Sequence, residues 1–234
     1  MKIKSNNIQN EYILHLDNVF KTYHLGKSII HAVDGINLNL KKGDFISIMG
    51  PSGSGKTTLL NLISALDKPT KGNVYINGKN TNTMNDKTLT QLRRHEIGFI
   101  FQFFNLIPVL TCYENIELPL FISGIKKKDR QKRVDELLDK LGLNKHRIHR
   151  PNELSGGQQQ RVAIARALVN KPSIVLADEL TGDLDSKTGL KIMEYLQLLN
   201  KSENQTIIIV THDINIAQMT NSVFEIKDGK FINS

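Results

Sequence analysis

Two short stretches carry most of the chemistry open to this chain. Gly50-Pro51-Ser52-Gly53-Ser54-Gly55-Lys56-Thr57 fits the spacing G-x-x-x-x-G-K-[ST]. Glycines let such a loop wrap a phosphate with its own N–H groups, because no Cβ blocks the approach. A helix starting at the lysine adds partial positive charge. Lys56 would reach β and γ phosphates, and the Thr57 hydroxyl would ligate magnesium. Thr58 continues the same cradle. The second stretch, Ile174-Val175-Leu176-Ala177-Asp178-Glu179, is an apolar run ending in two carboxylates. Asp178 could hold magnesium beside the loop, largely through water, and Glu179 could polarise an attacking water. Alone the second stretch is weak, since buried strands often end in a solvated acid.

These residues need a scaffold. Asp44–Met49 is an apolar strand leading into the glycine loop, and Lys56–Ser64 has helical character after it. Tyr12–Leu16, Ile36–Leu40, Asn73–Ile76 before Asn77-Gly78, and Ile97–Phe101 read as further strands. Between about 104 and 170 the pattern turns helical. Val134, Leu137, Leu138 and Leu141 recur at helical spacing, and Arg161–Val169 is rich in helix formers. Strand and helix then alternate again through Ile174–Ala177, Leu190–Leu199 and Ile207–Val210. Val223–Ile226 and Lys230–Ile232 flank Lys227-Asp228-Gly229 as a closing hairpin. The expected fold is α/β, with a mostly parallel central sheet and a helical insertion.

Composition narrows the class. The 234 residues suit one domain with a core of its own, and a single cysteine, Cys112, excludes an intrachain disulfide and any multi-cysteine metal site. The lone thiol points to a reducing compartment. Polar Met1–Glu11 has no apolar core, so a secretory signal is not expected, and no run reaches membrane-helix length. The formal net charge of +8 calls for an anionic partner. Residues 121 to 150 hold ten Lys/Arg against four Asp/Glu, most of that excess. A solvated helix face is the plain reading; attraction to an anionic membrane face or an acidic partner loop is the sharper one. His146 and His149 have no credible ligand set and read as surface residues.

Leu154-Ser155-Gly156-Gly157-Gln158, together with the two stretches above, resembles the signature of ATP-binding cassette (ABC) ATPases. The similarity runs along nearly the whole chain. Leu66–Gly72, Ile97–Ile107 and Leu154–Ala167 look like the lipoprotein-releasing and macrolide-exporter cassettes. That resemblance implies a P-loop NTPase core, an N-terminal antiparallel β subdomain and an inserted α-helical subdomain. The chain would be one domain over 1–234, its core about 1–100 and 165–234, its helical part about 101–164.

The resemblance also implies roles. Tyr23 would stack on adenine, Gln102 would touch magnesium or the lytic water and sense a membrane partner, and His212 would contact the γ-phosphate. Asp185 matches the aspartate of the loop after the acidic pair, and an N-cap role for it is compatible. Ser155, Gly156, Gly157 and Gln158 would face a nucleotide held by another chain, so a complete site needs two chains head to tail around two ATP. Glu179 would be the base, helped by Lys56, Mg2+ and His212. Two positions depart from the family pattern: Leu180, where proline is usual, is expected to loosen Glu179, and Asp183, where Asn or a small residue is usual, adds negative charge near the dimer contact. Neither is expected to abolish hydrolysis. Transport would need a separate integral-membrane permease at the cytoplasmic membrane face. Phe104–Leu120 would lie near that coupling surface, with Pro108 and Pro119 interrupting its helices. Substrates implied are lipoproteins, antimicrobial peptides or macrolides. A soluble ABC ATPase acting on nucleic acid or in translation, or a cell-division cassette that gates a partner, is the alternative. No nucleic acid partner is expected.

Overall fold

The computed structural model describes residues 11–26 and 28–233. The reading of Met1–Glu11 as free of a signal segment falls, but for Glu11, outside them. The order is β1 (Leu14–Leu25), β2 (Ser28–Leu40), β3 (Phe45–Met49), α1 (Lys56–Ile63), β4 (Lys71–Ile76), β5 (Lys79–Asn80), α2 (Asp86–Glu96) and β6 (Ile97–Ile100). There follow α3 (Cys112–Ile122), α4 (Lys127–Lys140), α5 (Gly156–Leu168), β7 (Ile174–Asp178), α6 (Ser186–Glu203), β8 (Thr206–Thr211), α7 (Ile214–Ala217), β9 (Ser222–Lys227) and β10 (Lys230–Asn233). No described helix is long and apolar enough to cross a membrane.

Two sheets form. One is antiparallel, in the order β2-β1-β4-β5. The other runs β10-β9-β3-β8-β7-β6 and is parallel except for the β9–β10 pair. The strands of the parallel sheet are apolar on both faces because both are covered. In β8, Ile207 and Ile209 enter a core with α3 to α6, while Ile208 and Val210 enter another with α1 and the antiparallel sheet. The period of two therefore assigns each strand residue to a core. The parallel strands β3, β6, β7 and β8 all end at one edge, where α/β sheets bind ligands.

Some elements differ from the sequence expectation. β1 and β2 are much longer than Tyr12–Leu16 and Ile36–Leu40, and irregularities between Leu16 and Val19 and between Lys21 and Thr22 break their alternation. Pro119 does not interrupt α3. It sits in the last turn, its carbonyl accepts from Ser123 N–H at 3.1 Å, and the helix ends three residues later. Only Pro108 lies outside a helix, before the capping box of Thr111 and Glu114. The β9–β10 hairpin turns on Asp228 and Gly229, both at positive φ (48° and 78°), the two-residue geometry that matches strand twist.

Of the ten basic residues in the block 121–150, four are paired in the ways that follow, and only Arg130 and Arg133 are not exposed. Arg130 pairs with Glu117 at 2.8 Å, joining α4 to α3. Arg133 donates to the carbonyls of Leu168 and Val169, and Lys140 meets Glu203 at 2.5 Å. Arg147 meets Asp135 at 3.1 Å. Cys112 is buried, and burial pushes its thiol up to about 12. Such a thiol is a packing group with no reactivity near neutral pH.

Candidate active site

The glycine loop links β3 to α1 and is pressed against neighbouring backbone. A Cβ on Gly50 would stand 2.2 Å from the Ile226 carbonyl, and one on Gly55, at φ 106°, 2.2 Å from the Ala32 carbonyl. Gly53, at φ 78°, has nothing within 4 Å on that side, so it faces open space. The loop is also tied by Gly229 N–H donating to Ser54 O at 3.0 Å. Lys56 is buried, with Nζ donating to the carbonyls of Gly50 and Pro51, each at 2.8 Å. Ser54 Oγ is buried without a partner among the described residues.

The start of α1 differs from most helices here. Asn85, Thr111, Ser155, Asp185 and Asp213 cap α2, α3, α5, α6 and α7 with side chains. The α1 cap is Gly55, which has none. The first N–H groups of a helix have no intrahelical partner and carry the positive end of its dipole. Uncapped N–H groups, an ammonium and an orphaned hydroxyl at one loop fit a polyphosphate. No group of three or more His, Cys, Asp or Glu able to hold a metal exists among the described residues. The Thr57 hydroxyl at the loop and the Asp178 carboxyl, close enough to Lys56 to feel its charge, are oxygen donors of the kind Mg2+ takes beside phosphate oxygens and water.

An open cleft of about 940 Å³ brings these parts together. Ser52, Gly53, Gly55, Lys56, Thr57 and Thr58 line it, and so do Glu179 and His212. His212 Nδ1 lies 3.1 Å from Glu179 Oε1. Since the carboxylate accepts, Nδ1 carries the proton and Nε2 is left for another partner. Asp178, half-buried one residue before, has its carboxyl held above the usual range by burial, then by Glu179, with Lys56 opposing. Glu179 itself stands at φ 45°, a left-handed backbone that costs a non-glycine residue energy and is typical of functional sites. Its N–H donates to Val210 O at 2.9 Å.

Leu180, the residue expected to loosen this turn, directly follows Glu179. It is 2% exposed, packed in the core with α3 to α6, and its carbonyl accepts from Gln160 Nε2 at 2.9 Å. A proline there would disfavour helical backbone at residue 179. Gln102 is outside the cleft lining; its side-chain nitrogen faces Gly182, in the turn that Glu179 begins. Tyr23 is also outside the lining. It pairs with Ile30, a cleft residue, across the β1–β2 ladder, so it shares a face with the cleft wall. Its hydroxyl donates to Asp67 at 3.0 Å, and Lys21 Nζ sits 5.0 Å from its ring centre.

A second groove of about 540 Å³ holds Ser155, Gly156, Gly157, Asp183 and Asp185, and shares no lining residue with the first. Asp185 also caps α6, accepting from Thr188 N–H at 3.0 Å; these bonds hold its carboxyl below the usual range. The added charge of Asp183 is offset, because Lys140, Arg161 and Lys191 line the same groove. Gln158 lies outside the groove lining, with its side chain engaged on Ser155 N–H. Sequence reasoning missed Arg166. Its guanidinium donates to the carbonyls of Phe104 and Asn105, at 2.7 and 2.5 Å. Both residues are left-handed (φ 56° and 48°), so α5 clamps the strained segment that follows Gln102.

The sequence pattern of the ABC transporter family matches residues 33–182. The chain belongs to that family. It is an ATP-binding cassette, and an ATPase. The cassette is 54% identical to an uncharacterized ABC transporter ATP-binding protein, MJ0796, of Methanocaldococcus jannaschii, over 93% of this chain and 94% of that one. The solved dimer of MJ0796 in a post-hydrolysis state with ADP and Pi superposes with a TM-score of 0.86, covering 94% of this chain and 97% of that one. The lipoprotein-releasing system ATP-binding protein LolD of Legionella pneumophila is 44% identical over 94% of the cassette and 97% of its own length. The macrolide export ATP-binding/permease protein MacB of Shewanella is 46% identical over 94% of the cassette but only 34% of its own length.

Two outcomes follow from this geometry. Gly53→Ala folds with only a small loss of stability, roughly 1 kcal/mol for its positive φ, yet loses nucleotide affinity. Gly55→Ala lowers the melting temperature far more, because its Cβ meets backbone; calorimetry with a fluorescent-nucleotide titration separates the two. Asp178→Asn raises the melting temperature of the nucleotide-free cassette by roughly 1–3 °C at pH 7.5. The sign follows from the raised carboxyl pKa: stability is full below the ordinary carboxylate value and falls as pH rises through the raised one. The gain vanishes at low pH, and the Mg2+-dependent part of nucleotide binding is lost at neutral pH.

Proposed function

We propose that the cassette works as a head-to-tail pair around two ATP, driving a separate membrane permease from the cytoplasmic face. The observation that carries this reading is the separation of the P-loop cleft from the signature groove within one chain. A groove headed by the N-terminus of α5 suits an anion, and only a second chain can bring a nucleotide to it. The dimer of the similar MJ0796 cassette supports the same arrangement.

In this reading the N–H groups of residues 52–58 and the Lys56 ammonium cradle the phosphates. Mg2+, when bound, neutralises phosphate charge, with Thr57, Asp178 and Gln102 as its holders. Tyr23 offers its ring to the adenine. Glu179 polarises the water, and its contact with His212 turns the free Nε2 toward the γ-phosphate. Ser155, Gly156 and Gly157 bind the γ-phosphate of the facing chain, with Gln158 and Asp185 holding the two helix starts that flank the groove. Preorganised donors of this kind stabilise charge as it develops, at no reorganisation cost.

A permease partner is favoured by the surface beyond Gln102. Phe103, Val109, Phe121 and Ile122 are 71%, 73%, 63% and 55% exposed. Beside them a groove of about 300 Å³ is lined by Arg93, Arg94, Leu118, Ile122 and Arg166. Large apolar side chains left exposed along one stretch of chain are candidates for contact with a partner. MacB joins ATP-binding and permease parts under one name, and LolD belongs to a lipoprotein-releasing system. Export or extraction of lipoproteins, peptides or macrolide-like compounds is the transport class we assign.

Glu179→Gln keeps ATP affinity, slows turnover by about 10²–10⁴-fold, the usual contribution of a general base, and accumulates an ATP-bound dimer by light scattering. Turnover at the wild-type rate contradicts the base assignment.

A further inference from the structure

His146 and His149 do not lie free on the surface as their sequence context suggests. Both are partly buried, and both ring Nδ1 atoms are buried without a partner among the described residues. The two rings pack edge to face, centroids 5.2 Å apart. Their segment is held in place by backbone bonds: Cys112 N–H donates to His149 O at 2.7 Å, and Tyr113 N–H to Arg147 O at 3.0 Å. The ring of His146 therefore has a fixed position against the start of α5.

What it touches there is Gln158. The Oε1 of Gln158 accepts from Ser155 N–H at 2.8 Å, which commits the carbonyl end of the amide. The other end, Nε2, stands 3.1 Å from His146 Nε2. An amide NH2 donates, so the ring nitrogen facing it must accept. That assigns His146 as the neutral ring with its proton on Nδ1. The reciprocal half of the capping box is slack: Gln158 N–H reaches Ser155 Oγ only at 3.4 Å. The Ser155 hydroxyl is thus the loosely held member, free to turn toward an incoming anion, while the Gln158 side chain keeps the helix start closed.

We propose that His146 is a positioning residue of the signature groove: by accepting from Gln158 it fixes the amide that holds Ser155 N–H, so Ser155 Oγ can leave its cap for a second chain's nucleotide. This rests on the head-to-tail reading above. Without the ring acceptor, the Gln158 amide loses its fixed rotamer, and α5 frays when the serine hydroxyl leaves. His146 acts on association between chains and not on the P-loop of its own chain.

The test uses the full chain in the Glu179→Gln background, where the ATP-bound dimer accumulates. His146→Leu removes the acceptor, and His146→Gln restores one at a similar reach. We expect His146→Leu to weaken ATP-dependent dimerisation by roughly three- to tenfold, the worth of one hydrogen bond. Its monomer should bind fluorescent ATP as the parent does, and His146→Gln should return dimerisation to within twofold of the parent, about the low end of that bond's worth. In a Gln158→Ala background, His146→Leu should cost little more, since His146 acts only through the Gln158 amide. If His146→Leu is too unstable, His146→Met removes the same ring acceptor with an unbranched side chain, leaves the Gln158 bond to Ser155 N–H in place, and should show the same split. A parent that dimerises, beside a His146→Leu variant of equal dimer affinity, overturns this proposal alone. So does a fall with no rescue by glutamine. A parent that forms no dimer with ATP overturns the reading of the groove, and this proposal with it.

Discussion

The site depends on how closely residues 50–55 pass the backbone of their neighbours. Gly50 and Gly55 each stand where a single Cβ would reach within 2.2 Å of a carbonyl, on β9 and β2 respectively. That contact wedges the loop between the parallel and antiparallel sheets. It also turns Lys56 inward onto two loop carbonyls. Without the antiparallel sheet, Ala32 would not be there to press on Gly55. The N-terminal strands are therefore part of the phosphate cradle, although Ile30, His31 and Ala32 carry no nucleotide chemistry of their own.

The parallel sheet supplies the rest by a simple rule. The strands β3, β7 and β8 lie side by side and end at one edge. Their ends deliver the glycine loop, Glu179 and His212 to a common cleft, with Asp178 one residue behind its lining. The same alternation that splits β8 between two cores locks those strand ends in register. Beyond the ends of β6 and β7, Phe104, Asn105 and Glu179 hold left-handed backbone, and each is tied by a hydrogen bond to another element.

Much of this was legible in the residues. The runs Ile174–Ala177 and Ile207–Val210 are apolar at every position, which marks strands buried on both faces. The glycine loop between a strand and a helix located the cleft, and the signature stretch located the second groove. Other features were not legible for physical reasons. Helix α2 buries only Leu89 and Leu92, too few for a periodic signal. The irregularities in β1 shift its alternation midway, so its outer half reads as loop. Pro119 is tolerated because it falls in the last turn of α3. Tertiary contact alone sets the roles of Leu180, Arg166 and His146. Leu180 reads as a lost proline until its side chain is seen buried in the core with α3 to α6. His146 reads as a surface ring until its contact with Gln158 is seen.

In the proposed pair each chain contributes two half-sites with no lining residue in common, and neither half works without a second chain. Mixing two inactive variants tests this most directly. Lys56→Ala disables the P-loop and keeps the signature groove; Ser155→Arg blocks the groove and keeps the P-loop. Each variant alone is expected to be inactive, and the mixture to regain ATP hydrolysis, because one of the two sites in a mixed pair is built from intact halves. A mixture as inactive as its components, although mixed pairs form, would contradict it.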